Sequence, residues 1–134
     1  MPVNISLLEC LASEFTYQDG AVIIEEGSKG DWIYVILEGF AKVKKRTRKG
    51  MVIIDTLQEG EVFGEIAFLE GESGSRSATV VAAEGTVRVG ILDKDLLAGR
   101  HSEMSPILRA LMKSLAIKLR ETTSRICSTL VSLD

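Results

Sequence analysis

One stretch of the chain combines a carboxylate, a guanidinium and many small residues: residues 63–80 have the sequence FGEIAFLEGESGSRSATV. Gly64 can adopt backbone angles closed to other residues and lets a ligand approach the main chain. The residues after it can form one helical turn, whose first amides lack partners within the helix and suit a phosphate. Arg76 can add a bidentate, charge-assisted contact to the same anion.

Glu65 lies beside these anion-binding groups but cannot bind a phosphate, because both are negatively charged. A carboxylate there is suited to accept hydrogen bonds from a sugar hydroxyl. A ligand with a phosphate next to a ribose hydroxyl would use all of these groups, and such a ligand is a nucleotide. The same residues also allow an internal Glu65–Arg76 ion pair with glycines that only form turns. The stretch is neither a P-loop nor a dinucleotide fingerprint.

The whole chain has the composition of one globular domain, with 134 residues, 46% hydrophobic and 26% charged. No apolar run approaches the roughly 18 residues that a membrane span needs. The N-terminus has no basic segment and carries Glu9 in its apolar part, so it is not a secretory signal. Cys10 and Cys127 lack metal-ligand spacing, which favours free thiols in a cytoplasmic protein without a metal.

Residues 15–92 contain short β-type runs separated by glycine turns such as Glu38-Gly39 and Glu84-Gly85. The predicted strands are Ala21–Ile24, Trp32–Leu37, Phe40–Lys44, Met51–Leu57, Glu61–Phe63, Ala78–Ala82 and Val87–Leu92. Short strands with a turn about every ten residues predict an antiparallel sandwich or barrel. At the N-terminus, apolar residues at helical spacing predict a short helix over 5–12.

The C-terminal third is predicted to be helical. Asp93 or Asp95 can cap a short helix that Gly99 ends. Ser105 and Pro106 then form a strong start signal for a long helix that runs to the end of the chain. Two apolar stripes follow this helix: Leu108, Leu111, Leu115 and Leu119, then Leu119, Thr123, Ile126, Leu130 and Leu133. The first stripe is predicted to pack on the chain's own β domain, and the second suits a seam between two helices.

FGEIAF followed by SRSATV resembles the phosphate-binding cassette of the cyclic nucleotide-binding domain family, which includes the catabolite activator protein and the regulatory subunit of cAMP-dependent protein kinase. The upstream IIEEGSKGDWIYVILEGFAKV and LQEGEVFGE are similar to the first half of that family. The resemblance implies a single domain over 1–134. It would comprise a helical segment over 1–14, an antiparallel, jelly-roll-like β-roll (a double-stranded β-helix) over 15–92 with the cassette at 63–80, and helices over 93–134.

The resemblance also implies roles for single residues. Glu65, with Gly64, would bind the ribose 2′-hydroxyl, and Arg76 would pair with the cyclic phosphate. Further implied ligand contacts are the amides of Ile66, Ala67, Ser77 and Ala78, the apolar side chains of Val43, Ile54 and Phe63, and the helix hydroxyls of Thr122 and Thr123. In the catabolite activator protein, such helix hydroxyls reach the adenine from both subunits of a dimer.

The family differs from this chain in small ways. The segment between Glu65 and Arg76 is slightly longer than in many members, with Glu70 and Glu72 in it, and Glu59 stands where a proline is often found. The implied ligand is cAMP or cGMP, and the Ser77 hydroxyl is compatible with either. No cofactor, no enzymatic activity and no DNA binding by this chain are expected.

We therefore expect a homodimeric sensor that dimerises through residues 106–134 and signals through its C-terminal helix to an unknown effector protein. One alternative is a structural or protein-interaction module of the same fold that binds no nucleotide. Another is an adaptor that binds nucleic acid or an anionic membrane through KVKKRTRK, residues 42–49. That basic run is predicted to lie between two strands, which favours a solvated hairpin tip. The single histidine, His101, leaves no histidine-rich metal site or catalytic triad.

Overall fold

A computed structural model describes residues 8–71 and 75–132. Within these residues the chain forms six strands and three helices. The strands are β1 (Leu11–Tyr17), β2 (Val22–Ile24), β3 (Tyr34–Thr47), β4 (Gly50–Leu57), β5 (Val62–Phe63) and β6 (Thr79–Leu92). The helices are α1 (Glu65–Glu70), α2 (Lys94–Glu103) and α3 (Pro106–Ser132).

All six strands join one antiparallel sheet organised around β3 and β6, which are 14 residues long each. β6 pairs with β2 near its start and with β1 near its end, while β3 pairs with β5 and then with β4. Because both long strands exchange neighbours partway along, the sheet rolls over its own apolar face, where Ile36, Val87 and Val89 are fully buried. The predicted fold is confirmed: an antiparallel β-roll followed by a long C-terminal helix.

Two predicted turns are instead irregularities inside the long strands. Glu38-Gly39 lies within β3 and Glu84-Gly85 within β6, and the pairing of the two strands shifts register between them. Gly39 has φ 96°, and a Cβ there would lie 2.7 Å from the carbonyl oxygen of Thr86, so the close approach of the strands requires glycine. Bulges and turns use the same residue types, and the partner strand decides which one forms.

The helix predicted for the N-terminal segment is wrong from Leu11 onward. Residues 5–7 of the predicted helix lie outside the described residues. Leu8 is helical, but β1 already begins at Leu11, so neither the helix over 5–12 nor a helical segment over 1–14 describes this part of the chain. β1 is an edge strand with five consecutive exposed residues. It therefore lacks the apolar alternation that identifies a strand in a sequence.

The two C-terminal helices begin at the predicted caps. The Asp93 side chain accepts a hydrogen bond from the Leu96 amide at 3.0 Å, and the Ser105 hydroxyl accepts one from the Leu108 amide at 3.2 Å. Gly99 does not end α2, which continues to Glu103. A glycine inside a helix costs about 1 kcal/mol, which packing of the helix can offset. Within the described residues, no helix has the length and apolar character needed to span a membrane.

The first leucine stripe of α3 does not pack on the β-roll, so that prediction is wrong. The residues of α3 that are buried include Ala116 and Cys127. These small side chains let α3 approach the roll closely. More than half of the surface of the stripe residues remains exposed, at Leu108, Leu111, Leu115 and Leu119.

The residues of the second stripe differ in how far they are exposed to solvent. Ile126 and Leu130 are about half exposed, whereas Thr123 is only partly exposed. Leu133, the last residue of this stripe, lies outside the described residues. An apolar face of α3 therefore remains without a partner over its described length.

Candidate ligand-binding site

The start of the cassette is built on a glycine that no other residue can replace without strain. Gly64 has φ 87° and directly precedes α1. A Cβ on Gly64 would lie 2.7 Å from the carbonyl oxygen of Trp32 and 3.0 Å from Nη1 of Arg76. Because Gly64 has no side chain to cap α1, the first amides of the helix receive no side-chain hydrogen bond from it.

Arg76 is held in place by main-chain atoms from both halves of the sequence. Its side chain is buried, with 6% of the residue exposed. Nη1 donates to the carbonyl oxygen of Gly64 at 3.0 Å and Nη2 to that of Trp32 at 2.9 Å. Its own amide donates to the carbonyl oxygen of Ser28 at 2.8 Å. The guanidinium is thus fixed by carbonyl groups, whereas the alternative considered above placed it in an ion pair with Glu65.

The pKa of Arg76 is affected by burial and by nearby charges. Burial lowers this pKa, and the nearby Tyr34, Asp31 and Glu65 raise it again in part. A guanidinium remains protonated in proteins even so. Two carbonyl hydrogen bonds leave N–H groups of the guanidinium for another acceptor. The site therefore presents a fixed, poorly hydrated positive charge that suits an anion.

Glu65 carries an oxygen that lacks a protein partner. Among the described residues, Oε2 of Glu65 is the only buried side-chain nitrogen or oxygen without a hydrogen bond. Burial raises the pKa of Glu65, against the lowering effects of a backbone hydrogen bond and of Arg76. A buried unsatisfied acceptor costs about 1–3 kcal/mol, so it favours a ligand that brings a donor.

These groups line one cavity of about 430 Å³, a size typical of small-molecule sites. The sequence-predicted residues in its wall are Val43, Ile54, Phe63, Gly64, Glu65, Ile66, Ala67, Arg76, Ser77, Ala78 and Thr123. Thr122 is not in the wall, and it is exposed on α3. The structure therefore gathers all but one of the predicted contacts around a single space.

Sequence reasoning missed part of the wall that α3 supplies. Leu119, Ile126 and Cys127 line the cavity together with Thr123. All three lie three or four residues from Thr123, so they share its side of the helix. That spacing could have identified them once Thr123 was selected. Asp55 and Glu61 also line the cavity, and no sequence pattern singled them out.

A side-chain contact fastens α3 to the cassette. Nε of Arg120 lies 2.7 Å from Oε1 of Glu70, at the end of α1, and Nη2 of Arg120 donates to the carbonyl oxygen of Ser75 at 2.6 Å. Both side chains are largely buried. Glu70 thus bonds to the helix that forms one wall of the cavity. We call this contact, Glu70–Arg120–Ser75, the latch.

The basic run over 42–49 forms the predicted hairpin, since β3 and β4 pair up to Thr47 and Gly50. One of its basic side chains, that of Lys45, does not point into solvent. Nζ of Lys45 donates to the carbonyl oxygen of Ser77 at 2.6 Å and lies 3.4 Å from Oε2 of Glu26. Lys45 therefore braces the end of the cassette.

The fold is that of a cyclic nucleotide-binding domain. The family model for the cyclic nucleotide-binding domain matches residues 14–99. The chain therefore belongs to this family, as the resemblance predicted. Among the described residues, no group of three or more His, Cys, Asp and Glu side chains could hold a metal ion.

Several known proteins are similar to this chain. A cGMP-dependent protein kinase of Eimeria tenella is 43% identical over 82 residues, covering 61% of this chain and 8% of the kinase. Human cGMP-dependent protein kinase 2 is 31% identical over 114 residues, covering 81% of this chain and 15% of the kinase. The cAMP-bound form of the EAL enzyme Bd1971 superposes with a TM-score of 0.76 at 30% identity, covering 90% of this chain and 32% of that one. This chain thus corresponds to a small part of each of these larger proteins.

Proposed function

We propose that this protein binds a purine 3′,5′-cyclic nucleotide, cAMP or cGMP, and acts as a non-catalytic regulatory module. One observation carries the proposal: a buried guanidinium, Arg76, and a carboxylate with an unpartnered buried oxygen, Glu65, line the same cavity. The first group suits a phosphate and the second suits a hydroxyl. A cyclic nucleotide presents both on one sugar ring.

The proposed pose follows from the positions of these groups. The ribose 2′-hydroxyl donates to Glu65 beside Gly64. The cyclic phosphate accepts from Arg76 and from free amides at the start of α1, Ile66 and Ala67, and at the end of the cassette, Ser77 and Ala78. The base lies against the apolar wall of Val43, Ile54 and Phe63, with the Thr123 hydroxyl on the opposite side.

The ligand would report its presence through α3. This helix forms one wall of the cavity and is bonded to the cassette by the latch, so a ligand that orders the cassette also favours one position of the helix. The exposed apolar face of α3 is the surface that we propose to mediate homodimerisation through residues 106–134. The same helix would pass the signal to an effector protein.

Isothermal titration calorimetry with cAMP and with cGMP tests the proposal. Micromolar or tighter binding of at least one nucleotide is expected. Arg76→Ala should weaken it by about 100-fold or more, since each hydrogen bond to a charged group contributes about 1.5–3 kcal/mol. Arg88→Ala is the matched control, because Arg88 is an arginine of β6 that pairs with Glu14 and Glu38 away from the cavity.

Arg76 also supports the main chain, so a second variant separates binding from folding. Glu65→Ala removes an unsatisfied buried oxygen and should keep the fold while weakening binding by about tenfold. If the natural sequence gives neither heat nor a thermal shift with either nucleotide, the proposal is wrong. The protein-interaction module would then be the better description.

A further inference from the structure

The side of the β3–β4 hairpin that faces away from the cavity has an unusual composition. Successive residues of a strand point to opposite faces. Val43 and Lys45 point toward the cavity and the cassette. The residues between and around them therefore point outward. This outer ribbon face consists of Phe40, Lys42, Lys44 and Arg46 on β3 and Met51 and Ile53 on β4.

Basic and apolar side chains alternate across this face. Lys44 is paired with Ile53, and Arg46 is paired with Met51. Directly paired residues of an antiparallel ladder share one face, so each cation lies beside a large apolar side chain. Phe40 is 41% exposed, Met51 45% and Ile53 56%.

The cations of this face are not neutralised by the protein. Lys42, Lys44 and Arg46 make no side-chain ion pair with any of the described residues, unlike Lys45 behind them. Residues 42–49 hold six basic residues and no acidic one, while the remainder of the chain has 10 basic and 19 acidic residues, a net charge of −9. Residues 42–49 are thus the densest run of positive charge in the sequence, although α3 also carries five basic residues and one acidic residue.

We propose that the outer ribbon face docks on an anionic lipid bilayer. Exposed aliphatic side chains beside lysine and arginine suit a surface that has anionic headgroups and an apolar layer just beneath them. Single-stranded nucleic acid is bound through basic grooves with several aromatic stacking platforms, whereas this face has one aromatic side chain, Phe40, and the residues paired with Lys44 and Arg46 are Ile53 and Met51. None of the six residues lines the ligand cavity or the second cavity behind Arg76.

Docking in this orientation leaves the nucleotide site accessible. The cavity lies on the other face of the same strand, where Val43 is part of its wall. The residues outside 42–49 carry a net charge of −9, so an anionic surface favours an approach through the outer ribbon face. Each basic residue near such a surface contributes about 1 kcal/mol, so binding is expected to be weak, reversible and sensitive to salt.

Vesicle co-sedimentation tests the proposal with the full chain. The vesicles are phosphatidylcholine alone, or phosphatidylcholine with about 30 mol% phosphatidylserine, at about 50 and 500 mM NaCl to vary screening. Binding is expected only to the anionic vesicles, and it should decline at the higher salt. Lys44→Glu/Arg46→Glu should weaken it about tenfold or more. Ile53→Ser, which changes no charge, should weaken it severalfold.

Each control makes the same kind of substitution at a surface position outside the outer ribbon face. Arg100→Glu/Lys113→Glu alters the charge equally on exposed helix residues, and Leu96→Ser removes an exposed leucine from α2. Both controls should bind vesicles as the natural sequence does. Equal loss in the charge control would mean that net charge alone drives binding and would overturn the proposal. Equal sedimentation with neutral and anionic vesicles would also overturn the proposal. So would a lack of sedimentation with either kind of vesicle, including the case in which the face binds duplex DNA instead. Nucleotide titration of each variant reports independently that the fold is intact.

Discussion

At the residue scale, the site contains two oppositely charged side chains that differ in their hydrogen bonding within the protein. Arg76 is satisfied by carbonyl oxygens, while one oxygen of Glu65 is not satisfied. The sequence predicted both residues, because a glycine–glutamate pair followed by an arginine among small residues suits a sugar phosphate. It could not predict the carbonyl contacts of Arg76, since these join Trp32 and Gly64, which only the fold brings together.

Glu65 should make the stability of the ligand-free protein depend on pH. Its pKa is raised by burial, so between the unfolded and folded pKa values the folded state holds more protons than the unfolded state. This contribution therefore lowers stability as pH rises through that window, and it is absent at lower pH. Glu65→Gln should raise the melting temperature at pH 7 by about 4 °C, which corresponds to roughly 1 kcal/mol in a domain of this size.

Thermal unfolding followed by circular dichroism between pH 4 and pH 8 measures this difference. The difference in melting temperature between Glu65→Gln and the natural sequence should shrink toward pH 4, where the carboxyl is mostly protonated in both the folded and the unfolded state. Glu84→Gln is the matched control, since Glu84 is an exposed glutamate of β6. A constant gap at every pH would show that the carboxylate charge is not the cause.

At the element scale, the local sequence patterns located most strands, but they did not show that β3 and β6 are each one continuous strand. The Glu-Gly pairs at 38–39 and 84–85 resemble turns in the sequence. β3 and β6 nevertheless continue through them, because the two strands pair with each other both before and after these positions. The sequence did not predict β1, because the five central residues of this edge strand are all exposed and do not alternate between apolar and polar. The pairing partners are distant in sequence, so local propensity carries no information about them.

The latch should control how firmly α3 covers the cavity. Arg120 joins α3 to Glu70, the last residue of α1, and to Ser75 in the segment that leads to β6. Arg120→Met keeps the length of the side chain but removes the charge and both hydrogen bonds. We expect nucleotide affinity to fall by about tenfold, mainly through faster dissociation, since a partly buried charged hydrogen bond contributes about 1.5–3 kcal/mol.

Stopped-flow displacement of a fluorescent cyclic nucleotide measures that dissociation rate. Glu70→Gln should have a smaller effect, and the double variant should lose less than the sum of the two, as expected for residues in contact. Arg109→Met provides the control, because Arg109 bonds only within the helical region, to the Ser102 carbonyl oxygen. Full additivity of Arg120→Met and Glu70→Gln would mean that the latch does not act as a unit.

At the scale of the whole molecule, the exposed face of α3 has a repeat of its own. Its members follow a 3-4-4 spacing, so that Leu108, Leu119 and Leu130 are eleven residues apart. The full set is Leu108, Leu111, Leu115, Leu119, Thr122, Ile126 and Leu130. An eleven-residue repeat favours helix pairs that are nearly straight or supercoil to the right. An apolar face of this length on a water-exposed helix favours a second helix as its partner.

Two members of this face, Leu119 and Ile126, also line the ligand cavity, so dimerisation and nucleotide binding should be linked. Leu115→Glu places a charge in the middle of the face at a residue that does not line the cavity. It should convert the proposed dimer to a monomer in sedimentation velocity. Ile117→Glu, a matched change on the other side of α3, should leave the dimer intact. We expect the monomer to bind nucleotide severalfold more weakly, because the partner helix no longer shields that wall from water. A natural sequence that sediments as a monomer at all concentrations, with or without nucleotide, would contradict the proposed dimer.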